Sequence, residues 1–158
     1  MTRTELPALR AQLSVESDRL KRVVDEIDSL LAAVTAREPS PVEAIAGAAY
    51  LQNLYNAIEN CLLRVAHAVD ESVPDSPDWH RVLLDQMTAP IDDLRPAVMD
   101  RSLAAKLDEY RRFRHAFRHM YFFDLDWPRI RPLLAASRSL CVEVWSALDA
   151  LMRALLAE

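Results

Sequence analysis

The chain has 158 residues, 51% of them hydrophobic, with nine prolines, a single glycine (Gly47) and a formal net charge of −5. That length suits one domain with a real core, over 1–158. One glycine leaves a turn-rich β architecture without its positive-φ residues, and an acidic balance excludes a long duplex-binding groove, so no DNA partner is expected.

The first helix is predicted from about Thr4 to Ala36, with Pro7 tolerated in its first turn. Leu9, Leu13, Leu20, Val23, Ile27, Leu30 and Val34 recur there at helical spacing among acids and bases. Glu38-Pro39-Ser40-Pro41 ends it, because the residue before a proline avoids the α region, and Pro41 suits the start of a new helix. That second helix, over about 42–71, opens on small apolar residues (Ala44 to Ala49), which permit close helix contact. Its middle, 50–60, is polar for a central helix, with Tyr55 and Glu59 four residues apart on one face. Two readings stand: a solvated strip, or a polar wall lining a site.

Val73-Pro74-Asp75-Ser76-Pro77 reads as a turn, and Asp78-Trp79-His80 opens a short helix to about Met87. Pro90 and Pro96 make the next stretch irregular. A long helix is expected over roughly 102–123, capped by Asp100 or Ser102. Asp126 and Pro128 then start a last helix reaching Leu156. The class is all-α, and four long helices plus a short one make an up-and-down helical bundle. No uncharged run approaches the ~20 residues of a membrane span. The first residues lack the apolar core of a signal peptide, so a cytoplasmic protein is expected. Cys61 and Cys141, set among apolar helical neighbours, read as buried reduced thiols.

The informative stretch is Arg-His-Ala-Phe-Arg-His-Met-Tyr, 114–121. The inward seam of the long helix reads Leu103, Leu107, Tyr110, Arg114, Phe117, Tyr121, one continuous stripe with an arginine in it. A guanidinium there is costly unless it meets an anion, a carboxylate or water. Arg111, Arg112, Arg114 and Arg118 make this helix locally basic, fit for a small phosphate site. At about 100° per residue, Arg114, Arg118 and Tyr121 share one stripe, and His115 and His119 the neighbouring one. Arg114 and His119 diverge too far to grip one atom from a single straight helix. A second copy across a two-fold axis would place two Arg/His sets around one cleft, so a homodimer is expected.

Arginine and histidine suit metal-free cleavage of RNA, whose 2′-hydroxyl is a built-in nucleophile. A histidine takes that proton or gives one to the leaving 5′-oxygen, while an arginine stabilises the charged phosphorane. The products would be a 2′,3′-cyclic phosphate and a 5′-hydroxyl. Each residue also has an ordinary reading: His119 as a helix-surface histidine, Arg114 as a structural bridge to Glu59, Tyr121 as core. His115 and His119 have zinc-like spacing, but no Glu follows His115 in the metalloprotease manner and the nearby arginines repel a cation, so neither metal nor cofactor is expected. His67 and His80 have no supporting partners and read as structural.

Arg114-x4-His119-x-Tyr121 resembles the Arg-x4-His-x-Tyr motif of the HepT-like branch of the HEPN superfamily, and Arg114-His115-x3-His119 fits the broader HEPN pattern. Tyr50, Tyr55 and Glu59 on the second helix are similar to that family too. The resemblance implies a HEPN-like bundle acting as a dimeric ribonuclease toxin of a two-gene, type VII-like toxin–antitoxin system. It implies Arg114 and His119 as the catalytic pair, and the basic run adds His115, Arg118 and Arg111 as candidate supporting phosphate contacts. It also implies an MNT-type nucleotidyltransferase antitoxin that adds AMP to Tyr121. Tyr55 and Glu59 are candidates for a supporting role. The alternative is a non-catalytic HEPN-type module that binds nucleotide or RNA, or that serves a nucleotidyltransferase.

Overall fold

The computed structural model describes residues 6–157, which form five α-helices: α1 (Leu6–Ala33), α2 (Pro41–Val65), α3 (Trp79–Thr88), α4 (Arg101–Phe117) and α5 (Trp127–Ala157). The fold is the expected all-α bundle. Thr4, where α1 was expected to start, lies outside the described residues.

The α1–α2 corner follows its local chemistry. Ser40 accepts a hydrogen bond from the Glu43 amide, and the Glu43 carboxylate accepts one from the Ser40 amide, a reciprocal capping box with Pro41 just inside the helix. Arg37 clasps the same carboxylate with both terminal nitrogens, at 2.8 and 2.7 Å. These bonds hold the Glu43 carboxyl down at about 2.

Helix α2 is the central element, packing on α1, α3, α4 and α5. Its buried face carries Leu51, Leu54, Tyr55, Ile58, Cys61, Leu62 and Val65. Gly47 marks the tightest approach. A Cβ there would lie 3.0 Å from Leu134 Cδ1, 3.2 Å from the Trp127 ring and 3.3 Å from Leu30 Cδ2, so α1, α2 and α5 converge on it. Cys61 and Cys141 are buried free thiols.

The second helix does not run regularly to Glu71. After Val65 it widens into a π-helical turn, Ala66–Asp70, and Glu71 takes a left-handed conformation with φ 52° that ends it. The widened turn delivers Asp70 to Arg95 in a fully buried ion pair, Nε at 2.5 Å and Nη2 at 2.7 Å from the two carboxylate oxygens. Arg95 also donates to the carbonyls of Gln86, Ala89 and Pro96. One side chain thereby ties the end of α3 to the irregular stretch that follows it.

Asp100 caps α4, accepting from the Leu103 amide at 2.8 Å. Leu103, Leu107 and Tyr110 then face the core as the seam predicts. The helix stops at Phe117, six residues short of the expected end, and gives way to tight turns, His119 N to Ala116 O and Met120 N to Phe117 O. A 3₁₀ turn, Phe122–Asp124, precedes α5. Asp126 accepts from the Arg129 and Ile130 amides through its own carbonyl. Pro132 lies inside α5, four residues before Ala136, without ending it. Among the described residues no helix is long and apolar enough to cross a membrane.

Candidate functional site

Arg114 occupies the last turn of α4, where a cation complements the helix dipole. Its side chain is 15% exposed, and its Nη1 lies 3.7 Å from Glu59 Oε1 on α2. Tyr55, one turn before Glu59, lies beneath the guanidinium. The polar middle of α2 is thus a wall on its Tyr55–Glu59 side, since both residues are buried and both face Arg114. Burial, with the Glu59 charge beside it, pushes the Tyr55 phenol far above its ordinary value, so this tyrosine stays neutral.

Glu59 has a second partner that its own helix and α4 do not supply. His80, on the first turn of α3, places Nδ1 2.5 Å from Glu59 Oε2. The carboxylate accepts, so Nδ1 carries the hydrogen. The Trp79 ring stacks on the imidazole at 3.6 Å between centroids. His80 therefore does have a partner, contrary to the expectation from its surroundings in the chain. The signal for it lay in Glu59, since a carboxylate on a buried helix face must find cations or donors.

The other predicted residues separate into two groups. Arg111 is drawn back one turn to Asp108, Nε to Oδ1 2.6 Å, and Arg112 shares that carboxylate at 3.1 Å. The acid-free run 111–118 is thus partly neutralised from position 108. His115, Arg118 and His119 are exposed, and the two imidazoles meet edge to face at 5.3 Å.

Tyr121 departs from the expected seam. Because α4 ends at Phe117, the stripe does not extend to it, and Tyr121 is 70% exposed, stacked in parallel on Phe123 at 5.3 Å. It is neither core nor on the Arg114 stripe. The helical-wheel angles hold for Arg114 and His115 but not beyond Phe117. What the geometry brings together is Arg114 with Tyr55, Glu59 and His80 on one side, and His115 with His119 on the other.

The fold is an all-α bundle whose fourth helix ends three residues after Arg114, which leans on the central helix, with His119 and Tyr121 in the turns that follow. A family model described as HepT-like protein matches residues 46–155, and the chain belongs to that family. HepT-like proteins are generally HEPN ribonuclease-type domains and are typically found in toxin–antitoxin pairs. The match runs from the first turns of α2 almost to the end of α5. No curated protein and no solved structure matches the chain.

Proposed function

We propose that this protein is a metal-independent endoribonuclease, the toxin of a two-gene pair, acting as a homodimer. His119 serves as general acid and base, taking the 2′-hydroxyl proton or protonating the leaving 5′-oxygen. Arg114 stabilises the charge that builds on the phosphorane oxygens. The 2′-oxygen forms its bond to phosphorus as the bond to the 5′-oxygen breaks, leaving a cyclic phosphate and a 5′-hydroxyl.

The observation that carries this reading is the state of Arg114. Its guanidinium is sheltered and supported from below, yet its ion pair with Glu59 is long at 3.7 Å, beyond a hydrogen bond, which leaves its terminal nitrogens with donors for a phosphate. His119, two residues past the helix end, is exposed and free to approach a phosphodiester. His115 and Arg118 supply exposed positive or polar contacts beside it, and Arg111 a weaker one because Asp108 holds it. The exposed Tyr121 phenol is accessible to an MNT-type nucleotidyltransferase, and AMP there would add bulk and negative charge a few residues from His119.

The test is incubation of the purified protein with cellular RNA in EDTA, beside a folded His119→Ala control. Cleavage by the wild type alone, with cyclic-phosphate ends, is the expected result. Undiminished cleavage by His119→Ala would sink the role given to that residue. The second reading, a non-catalytic binding module, draws on the Arg114–Glu59 pair as a purely structural bridge. It predicts no cleavage, and a stable complex with the neighbouring gene product that carries no AMP-sized adduct on Tyr121.

A further inference from the structure

Glu59 is a buried carboxylate with two positively inclined neighbours, and it treats them unequally. His80 Nδ1 is at hydrogen-bond distance, 2.5 Å, whereas the nearest Arg114 nitrogen stands at 3.7 Å, too far for a hydrogen bond. Guanidinium and carboxylate normally close into a two-pronged contact when nothing prevents it, because their geometries match. Here Oε2 is taken by His80 on α3 and only Oε1 faces the guanidinium, while the buried Arg114 Nε has no acceptor. The imidazole that holds the carboxylate is fixed in plane by the Trp79 ring.

We propose that His80 is a positioning residue for Arg114: by engaging Glu59 Oε2 it keeps the carboxylate from closing on the guanidinium, so that the arginine's terminal nitrogens remain free for a phosphate. Its use in RNA cleavage rests on the ribonuclease reading above. The juxtaposition itself does not.

The arrangement has a physical logic. An arginine alone on an apolar helix face would be costly, and an arginine locked in a bidentate pair would be unavailable to substrate. A carboxylate shared with a histidine gives an intermediate condition, in which charge is compensated but the donors are not used up. The cation–π contact with Tyr55 supplies the remaining support without occupying any N–H. The imidazole meets Glu59 from α2 and the Trp79 ring from its own turn. Glu59 is the one that bonds it.

Three variants decide the matter: His80→Leu, His80→Asn, and the double variant His80→Leu/Glu59→Gln, each checked for cooperative melting. His80→Leu removes the donor, so the carboxylate swings to Arg114, and kcat/KM for RNA falls roughly tenfold, the scale of one charge-assisted hydrogen bond. His80→Asn retains an N–H near the Nδ1 position and keeps most of the activity. The double variant recovers much of the loss, because a neutral amide has no charge with which to hold the guanidinium. A merely structural histidine would make the two changes add rather than cancel.

A second readout needs no catalysis. Nitrogen-15 spectra of the Arg114 side chain should show slowed rotation of the guanidinium in His80→Leu, reversed in the double variant. If the wild type cleaves no RNA, the ribonuclease reading fails while these spectra still decide the role of His80. Identical Arg114 signals in all three variants, or a double variant no more active than His80→Leu, would overturn the proposal.

Discussion

The Arg114 guanidinium stands over the face of Tyr55, its Cζ 5.9 Å from the ring centroid, and Tyr55 is only 1% exposed. The ring is thus a fixed floor under a half-sheltered cation. Tyr55→Phe keeps the floor and loses a neutral hydroxyl with its hydrogen bond to Glu59, which His80 still holds, so RNA cleavage should stay within about threefold of wild type. Tyr55→Leu removes the ring face and should cost about tenfold in kcat/KM. A Tyr55→Phe variant as inactive as Arg114→Ala would mean that the hydroxyl itself takes part.

The buried Asp70–Arg95 pair gives a stability prediction. Both side chains are essentially inaccessible, 1% and 0% exposed, so Asp70→Ala leaves a guanidinium uncompensated in the interior. The expected loss is about 3–5 kcal/mol in urea denaturation. An unchanged midpoint would show that the main-chain carbonyls of Gln86, Ala89 and Pro96 suffice for Arg95.

The two thiols give a pH dependence. Burial pushes Cys61 up to about 12 and Cys141 up to about 11, against an unfolded value of about 8.5. A raised value favours the neutral thiol of the folded chain, so this contribution is fully present below about pH 8.5 and lost as pH climbs towards the folded values. Stability should fall by on the order of 1 kcal/mol per pH unit per thiol across that window. Neither cysteine should react with an aromatic disulfide reagent at pH 8 until the protein is unfolded. Fast labelling of the native protein would contradict both expectations.

Gly47 gives a graded test of helix packing. In Gly47→Ala the added methyl must displace Leu134 Cδ1 from 3.0 Å, but alanine gains about 1 kcal/mol of helix propensity, so the net change should be small. Gly47→Leu has no such offset against Leu30, Leu134 and Trp127 together, and should lower stability by about 1–3 kcal/mol or more. Equal melting temperatures for the two variants would mean that α1 and α5 can spread at this crossing.

The bundle was legible because its signals are local and repeated: the proline pair around Ser40, the Asp100 cap and the apolar seams each act within a few residues. Arg114 was legible for the same reason, as a charge in an apolar stripe. The end of α4 was not. No proline or glycine stands between Phe117 and Tyr121, and the helix yields there to aromatic residues that remain exposed, so periodicity alone carried the seam too far. His80 was missed because its partner is 21 residues away on another helix, and the irregular segment between offers no pattern that would align them. Sequence spacing reports neighbours along a helix, whereas this contact depends on how α3 is folded back onto α2.

That folding back is governed by Arg95, which gathers Asp70 from the π-turn and three carbonyls from the 86–96 stretch around one inaccessible side chain. An excursion tied in this way cannot peel off while the rest stays closed. Its amides should therefore exchange with deuterium in step with those of the C-terminal half of α2, with the slow kinetics of the interior rather than the fast kinetics of a surface loop. The helix that carries His80 would then share the lifetime of the core on which Arg114 leans.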